Sequence, residues 1–225
     1  MQRFWHGGKL RMIDQLIRPH LKADSRLLEI GCGAGNLLLQ AAVRGSYPVA
    51  LDLAMQALTF VRSRLREAQS GSEAPRDFMC IQSVGELLPL DNESFECILL
   101  SEVIEHLEAP QISIKEAARV LSPGGRLLVT TPNYRSLWPL MERVVDMLNM
   151  APKMAGEQHI SRFYPASLRR LLFEEGLHIE YFGTIYNLSP FLALFSPKWA
   201  GRQLERELES RSVLGMILVA VAVKP

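Results

Sequence analysis

A glycine-rich stretch, Leu27–Leu39, limits what this chain can fold into more than any other part of its sequence. It reads as a short apolar strand, a turn and the start of an apolar helix. Glycines stand at alternate positions, 31, 33 and 35. Because glycine has no Cβ, such a turn bends sharply and lets a ligand approach the backbone closely. The N–H groups of the following helix point at that ligand, so the stretch predicts a binding turn.

Two acidic residues specify the ligand further. Glu29 precedes the turn, and Asp52 ends the next apolar run about 20 residues on, where an acid can hold ribose hydroxyls. A dinucleotide-binding turn has a third glycine where this chain has Asn36. A carboxylate just before the turn would repel a pyrophosphate and attract an amine. The pattern therefore favours a ribose-linked ligand with an amino-acid tail over a dinucleotide.

Apolar runs and helical periods alternate along the chain. Strands are predicted over 26–31, 47–52, 77–81, 95–100, 126–131, 177–186 and 216–223. Helices are predicted over 9–22, 35–44, 54–68, 110–121, 134–152 and 165–176. This alternation predicts an α/β fold whose parallel sheet is covered by helices on both faces.

Composition narrows the class of protein. A chain of 225 residues, 48% of them hydrophobic, is most simply one domain with a full core. The net charge of +1 provides no overall field for a long nucleic acid or an anionic membrane. Three scattered cysteines without a C-x-x-C pair predict a reducing compartment, the cytoplasm. No signal region precedes the first helix, and no apolar run reaches the ~18 residues of a spanning helix.

Three segments together resemble one known family. Glu29–Gly35 is similar to the E-x-G-x-G-x-G turn of the class I S-adenosylmethionine (SAM) methyltransferases. Leu87–Glu96 resembles the segment before their fourth strand, and Arg119–Leu127 resembles the segment before their fifth. The resemblance implies a Rossmann-like, doubly wound seven-stranded sheet in the order 3-2-1-4-5-7-6, with a helical insertion after strand 5.

The same resemblance assigns contacts with SAM as the cofactor. The three glycines shape the turn, Glu29 faces the methionine amine and Asp52 holds the ribose. The further contacts that it implies are Cys32, Leu53, Glu86 and Ser101. Family members often place an acid near adenine where this chain has Val84, so backbone groups and apolar walls are expected to hold that ring.

The segment after strand 4 carries the chemistry expected for the methyl acceptor. Glu102, Glu105 and His106 have i, i+3 and i+4 spacing, which predicts one face of a helical turn. In one hypothesis His106 is a general base or orients the acceptor, beside Glu102. In the other, all three bind Mg²⁺ or a similar cation, which lowers the pKa of an acceptor hydroxyl.

This segment, Glu102–Leu107, resembles two metal-using groups. They are the O-methyltransferases of ubiquinone biosynthesis, which act on polyprenylated catechols, and the 2′-O-methyltransferases of small-RNA 3′ ends. A downstream histidine completes the metal site in the RNA group, and His159 is the candidate for that fourth ligand here. The acidic and aromatic pattern that follows it in the RNA group is absent from 160–165, so the ubiquinone-type layout fits better.

The expected layout is a single methyltransferase domain. Residues 1–25 form an N-terminal helix or lid, 26–132 the SAM-binding core, 133–165 a helical insertion, and 166–225 the last helix and a terminal β-hairpin with an insertion at 187–212. The apolar stripe of the first insertion is core packing, a lid or an interfacial helix. The aromatic residues of the second form a wall of the acceptor pocket or face a membrane.

The expected activity is SAM-dependent O-methylation of a small, hydrophobic, hydroxylated acceptor. A cytoplasmic protein with a peripheral membrane contact fits the aromatic insertion, and no long nucleic acid is expected as a partner. Two alternatives stay open: methylation of RNA or of a nitrogen or carbon acceptor, and a fold that holds SAM without turnover.

Overall fold

The computed structural model describes residues 2–42, 46–69, 77–147, 159–193 and 195–225. Its strands are β1 (Arg26–Ile30), β2 (Tyr47–Asp52), β3 (Met79–Gln82), β4 (Phe95–Ser101), β5 (Leu121–Pro132), β6 (His178–Ile185) and β7 (Ile217–Val223). They form one seven-stranded sheet in the order β3-β2-β1-β4-β5-β7-β6, which confirms the predicted topology.

Helices lie on both faces of this sheet. They are α1 (Gln2–Leu16), α2 (Asn36–Ala41), α3 (Met55–Ala68), α4 (Pro110–Val120), α5 (Trp138–Met147), α6 (Pro165–Glu174), α7 (Ser189–Ala193) and α8 (Pro197–Ser210). Short 3₁₀ helices occupy Arg18–His20 and Ile104–His106. No helix in the described ranges is both long enough and apolar enough to cross a membrane.

Alternating side chains of the central strands divide the core into two layers. On β4, Cys97 and Leu99 belong to one layer, and Ile98 and Leu100 belong to the other. Helices α1, α2, α3 and α8 contribute to the first layer, and α4 and α6 contribute to the second. Each fully buried aliphatic side chain contributes about 1.5–3 kcal/mol through removal from water, so the sheet is held from both sides.

Strand direction places several chain segments at one edge of the sheet. Strands β1 to β5 run parallel, and β7 is antiparallel to both β5 and β6. Strand β6 therefore runs in the same direction as β5, and the segments after both strands begin at the carboxyl edge. The strand order reverses between β1 and β4, and ligands of such sheets bind outside the carboxyl edge at that point.

Some element bounds differ from the sequence-based prediction. Helix α1 starts at Gln2 and ends at Leu16, not at residue 22, because Pro19 lacks a backbone N–H and disfavours helical geometry in the residue before it. Strand β5 starts at Leu121, which pairs with Phe95 before a shift in register, so the Pro-Gly-Gly cluster lies inside the strand.

The helix expected over 134–152 begins later than predicted, at Trp138. A turn occupies 134–137, and α5 follows as far as Met147. Residues 148–152 of that prediction lie outside the described ranges. The expected terminal hairpin is present as the antiparallel pair of β6 and β7.

Candidate active site

The glycine turn after β1 needs its glycines for conformation and for space. Gly31, Gly33 and Gly35 all have positive φ, +67°, +49° and +68°. A Cβ on Gly31 would lie 2.5 Å from Cγ2 of Val103, in the segment that follows β4. Since side chains rarely adopt this φ, only glycine brings the backbone so close to that segment.

A cavity of about 140 Å³ lies beside this turn at the carboxyl edge. Five predicted residues line it: Glu29, Gly31, Cys32, Ser101 and Glu102. Helix α1 contributes Lys9 and Leu10 to the same wall. The volume is below the ~300 Å³ of pockets that enclose drug-sized ligands, so the cavity fits one end of a larger molecule.

Glu29 brings a buried carboxylate to this cavity. Its side chain is 4% exposed and accepts a hydrogen bond from the Leu38 N–H at 3.1 Å. Burial raises its pKa to about 8. A cationic amine would stabilise the ionised form of this carboxylate, because opposite charges attract strongly where water is excluded.

Asp52 is held rigidly at the end of β2. Its Oδ2 accepts from the Gly33 N–H at 2.8 Å, and its Oδ1 accepts from the Ala54 N–H at 2.8 Å. Each oxygen keeps a lone pair for a hydroxyl of a bound ribose. Asp52 lies outside the cavity lining, as do four other predicted contacts, namely Gly33, Gly35, Leu53 and Glu86, and Leu53 is exposed.

These groups fit SAM. The buried carboxylate of Glu29 at the cavity suits an ammonium, the fixed carboxylate of Asp52 suits ribose hydroxyls, and the glycine turn lets a ligand approach the backbone between them. Val84, in the segment after β3 expected near adenine, is exposed and apolar. Its side chain offers no hydrogen bond to the ring.

Glu102 adopts an unusual backbone conformation at the end of β4. Its φ is +57°, a region that costs a residue with a Cβ of order 1 kcal/mol and is frequent at functional sites. Thr130 on β5 donates its hydroxyl to Oε1 of Glu102 at 3.0 Å. Nζ of Lys9 lies 3.3 Å from Oε2. The carboxylate is thus fixed between α1 and β5.

Glu105 and His106 belong to a 3₁₀ helix, Ile104–His106, and not to the helical face expected from their spacing. Glu102 lies outside this helix and has a positive φ, so its side chain is separated from those of Glu105 and His106. Glu105 is buried and accepts from the Thr131 hydroxyl at 3.1 Å, whereas His106 is exposed. Burial raises the pKa of Glu105 well above its usual value, and the charge of Glu102 raises it further.

His159 reaches this site through the segment that precedes α6. The N–H groups of Ile160 and Ser161 donate to the Glu105 carbonyl at 2.8 and 2.9 Å. The His159 ring lies 5.1 Å from the His106 ring, centroid to centroid. The Tyr134 hydroxyl is 3.1 Å from Nδ1 of His159. A residue far along the sequence is therefore docked on the 3₁₀ helix by backbone hydrogen bonds.

The structure brings three of the four candidate metal ligands together. One ligand atom each from Glu105, His106 and His159 lie within 4.8 Å of one another. Glu102, the fourth candidate, is not in this cluster and is engaged by Lys9 and Thr130 instead.

A buried acid organises the segment that follows β6. Glu207 on α8 is 4% exposed and accepts from the backbone N–H groups of residues 187–189 at 3.1, 2.8 and 2.9 Å. The Ser189 hydroxyl also donates to it, at 2.8 Å. This carboxylate fixes the start of α7 at the carboxyl edge.

Sequence reasoning missed several residues of the site. Lys9 stands in a helix with no pattern that marks one lysine over another. Thr130 and Thr131 were detectable, because they are polar residues at the end of an apolar strand, as Asp52 is. Tyr134 and Glu207 carry no local signal.

A seven-stranded sheet in this order, with a glycine turn and two acids at its carboxyl edge, is the Rossmann-like fold of class I SAM-dependent methyltransferases. A family model described as a methyltransferase domain matches residues 28–129. A SAM-dependent methyltransferase structure from Thermotoga maritima superposes with a TM-score of 0.66 at 19% identity, covering 99% of this chain and 90% of that one. That likeness supports the fold.

Curated proteins named ubiquinone biosynthesis O-methyltransferase are similar in sequence. The one from Xylella fastidiosa (strain 9a5c) is 34% identical over 161 residues, which are 70% of this chain and 63% of that protein. The one from Xanthomonas axonopodis pv. citri (strain 306) is 31% identical over 176 residues, 76% of this chain and 69% of that protein. The chain therefore belongs to the SAM-dependent methyltransferases, although it spans only part of the length of these relatives. SAM is its cofactor.

Proposed function

We propose that this methyltransferase transfers the methyl group of SAM to an oxygen of a small, hydrophobic, hydroxylated acceptor, a catechol-like molecule in particular. The observation that carries the proposal is the cluster of Glu105, His106 and His159, whose first two members closely follow the cavity residue Glu102 in the chain. When bound, the cofactor supplies an activated methyl group on a sulfonium. The protein is left to bind the acceptor, orient its hydroxyl and remove its proton.

In the division of the chain that we propose, the core over 26–132 holds the cofactor. The cofactor contacts are the glycine turn with Cys32, and Glu29, Asp52, Leu53, Glu86 and Ser101. The segments 133–165 and 187–212 build the acceptor side. The relatives named for ubiquinone biosynthesis support an oxygen acceptor on this side.

The cluster is suited to a divalent cation. Glu105 is a carboxylate in a buried position, where an ionised group needs a compensating charge. A cation held by Glu105, His106 and His159 would supply that charge and lower the pKa of an acceptor hydroxyl. Two imidazoles with one carboxylate favour a transition ion such as Mn²⁺ or Zn²⁺ over the Mg²⁺ suggested by the acid-rich sequence motif.

The metal-free version of the same proposal gives His106 the role of general base. His106 is exposed at the edge of the site, next to His159. Glu102 would then stabilise or orient the acceptor from the cofactor side. The two versions differ in one respect that can be measured, namely whether the site binds an ion.

A metal titration separates them. Mn²⁺, Zn²⁺ and Mg²⁺ are titrated calorimetrically into the protein loaded with S-adenosylhomocysteine, beside His106→Ala, His159→Ala and His178→Ala variants. His178 is exposed at the start of β6, away from the carboxyl edge, and serves as the matched control. Binding that is lost in the first two variants and retained in the third supports the metal version. Absence of binding to the unaltered protein excludes it and leaves His106 as the base.

The acceptor class is tested with pairs of small phenols. Methyl transfer is measured with alkyl-substituted catechols, and with matching monohydroxylated phenols and anilines. The proposal predicts turnover of the catechols and a decrease when the alkyl tail is removed. Exclusive transfer to the anilines would overturn it in favour of a nitrogen acceptor.

The hydrophobic character of the acceptor rests on side chains exposed at the carboxyl edge. The segment after β5 exposes Leu137, Leu140 and Met147, and the segment after β6 exposes Phe195 and Trp199, 82% and 60% accessible. Exposed Lys198 and Arg202 flank this aromatic pair on α8. Apolar side chains beside cations are typical of proteins that touch an anionic bilayer, so we propose that the acceptor is taken from a membrane surface.

Vesicle flotation tests the membrane contact. The unaltered protein is expected to float with vesicles that contain phosphatidylglycerol, and a Phe195→Ser/Trp199→Ser variant is expected to stay in solution. Phe173→Ser is the matched control, because Phe173 is 77% exposed near the end of α6, which leads into the start of β6 at the opposite edge. Equal flotation of all three proteins, or flotation of none, contradicts this surface.

A further inference from the structure

Lys9 is the cation of the cofactor cavity. Among the described residues that line the cavity, it alone carries a positive charge. Its ammonium lies 3.3 Å from Glu102, and the two side chains are 22% and 25% exposed. The lysine thus stands between the cofactor side, where Glu29 lies, and the acceptor side, where Glu102 leads to Thr130.

The helix that carries Lys9 is positioned by specific contacts. A Cβ on Gly8 would overlap the hydroxyl of Tyr186, a buried side chain at the end of β6. The guanidinium of Arg11 donates to the Gly201 carbonyl at 2.9 Å and pairs with Glu205 at 3.2 Å, which ties α1 to α8. Because these contacts fix the helix and occupy Arg11, the flexible stem of Lys9 is what can move within the cavity.

The amino-acid end of SAM presents two charges to this cavity, an ammonium and a carboxylate. Glu29 complements the ammonium. Lys9 complements the carboxylate, but it is already paired with Glu102. A single ammonium cannot neutralise two carboxylates at once, so the cofactor and Glu102 compete for it.

We propose that Lys9 is a shared counter-ion that couples the two halves of the site. Without cofactor it holds Glu102. With cofactor it pairs with the carboxylate of SAM and releases Glu102, which remains hydrogen-bonded to Thr130 and turns its charge toward the acceptor. Cofactor binding thereby precedes acceptor binding. This inference rests on the proposed function, in which Glu102 serves the acceptor side.

The first experiment measures affinity for S-adenosylhomocysteine by calorimetry. Lys9→Met is expected to weaken binding about 10- to 100-fold, the range for loss of a hydrogen bond to a charged group. Methylthioadenosine lacks the amino-acid end, and its affinity is expected to stay unchanged. Lys22→Met, an exposed lysine at the opposite edge, is the matched control and leaves both affinities unchanged. Unaltered S-adenosylhomocysteine affinity in Lys9→Met overturns the proposal.

The second experiment tests whether Glu102 and the cofactor compete for Lys9, because competition predicts that loss of the Glu102 charge strengthens cofactor binding. Glu102→Gln removes the charge that competes for Lys9 while it keeps an oxygen for Thr130. It is expected to strengthen S-adenosylhomocysteine binding about 2- to 5-fold, the range for a partly exposed ion pair. In the Lys9→Met background the same change is expected to have no effect. Unchanged or weaker binding in the single Glu102→Gln variant would overturn the exchange of partners.

These titrations contain no acceptor. Failure of the coupling therefore appears as unaltered affinities in a protein that still methylates catechols. Failure of the proposed acceptor class appears as absent catechol turnover in a protein whose affinities change as expected.

Discussion

The cofactor side and the acceptor side that we propose for this methyltransferase are built in different ways. On the cofactor side, a short stretch of sequence supplies backbone conformation, through three glycines with positive φ, and two acids fixed by neighbouring N–H groups. On the acceptor side, residues from β4, β5 and the segment before α6 meet through hydrogen bonds between distant parts of the chain. The first is a local property, and the second is a property of the whole fold.

The difference shows how such a fold can change its acceptor. A local turn binds the same cofactor whatever follows β5, because its geometry depends on β1, β2 and β4. The acceptor side depends on side chains such as Glu207, which can be altered without touching the turn. Apart from the proposed coupling through Lys9, changes to the acceptor side should therefore leave the glycine turn and its binding of the cofactor intact.

The largest expected effect comes from the acceptor side. Glu207→Ala should lower the free energy of unfolding by about 3–5 kcal/mol, because three backbone N–H groups and a hydroxyl lose their buried acceptor. Urea unfolding measures this. Glu209→Ala, at an exposed position on the same helix, should stay within about 0.5 kcal/mol of the unaltered protein. Folded Glu207→Ala should still bind S-adenosylhomocysteine, and loss of that binding would contradict the independence of the two sides.

An intermediate effect is expected in the glycine turn. Gly31→Ala should cost about 2–4 kcal/mol, since it combines a strained φ with a methyl group 2.5 Å from Val103. Gly33→Ala has a similar φ but nothing within 4 Å of the added Cβ, and should cost about 1 kcal/mol. The comparison is made by denaturant unfolding. A Val103→Ala change should recover part of the loss in Gly31→Ala only, and recovery in both variants would show that crowding is not the cause.

A pH-dependent effect follows from Glu29 and needs no substitution to be observed. Its pKa is raised from 4.5 to about 8 on folding, so between these values the folded protein binds more protons than the unfolded chain. The contribution to stability is present below pH 4.5 and is lost as the pH rises through about 8. Denaturation of the cofactor-free protein should show this fall, and Glu29→Gln should remove it.

The same group predicts a proton count. If the SAM ammonium ionises Glu29, cofactor binding at pH 7 should release about one proton. Calorimetry of S-adenosylhomocysteine binding in buffers of different ionisation enthalpy measures it. Release that persists undiminished in Glu29→Gln would assign the proton to another group.

The features that the sequence predicts best belong to the cofactor side, and those that it predicts least belong to the acceptor side. The strands and the glycine turn were predicted because their signals are hydrophobic periods and a local motif, and the sheet order was predicted because it is implied by the family resemblance that the motifs carry. The spacing of Glu102, Glu105 and His106 predicted one helical face, and that was wrong. Glu102 has a positive φ and lies outside the 3₁₀ helix that holds the other two residues, and no periodicity reports a left-handed residue.

His159 shows that a residue can be identified from the sequence although its position in the structure cannot. The resemblance singled out this histidine, but its position beside His106 depends on hydrogen bonds to the Glu105 carbonyl and on Tyr134. Lys9 had neither a motif nor a period. Its importance arises only because α1 packs against Tyr186 and α8, a contact among three segments far apart in sequence.

The position of β7 has a consequence for how the molecule is assembled. This strand follows the other six strands of the described sheet in the sequence, yet it pairs with both β5 and β6, and within the described residues β6 pairs with no other strand. During synthesis, β1 to β5 can associate early, whereas β6 waits without a partner and β5 presents an open edge. Such edges are where nascent chains pair with the wrong neighbour. The residues of the glycine turn, with Glu29 and Asp52, are therefore synthesised well before the segments that complete the sheet and position helix α1.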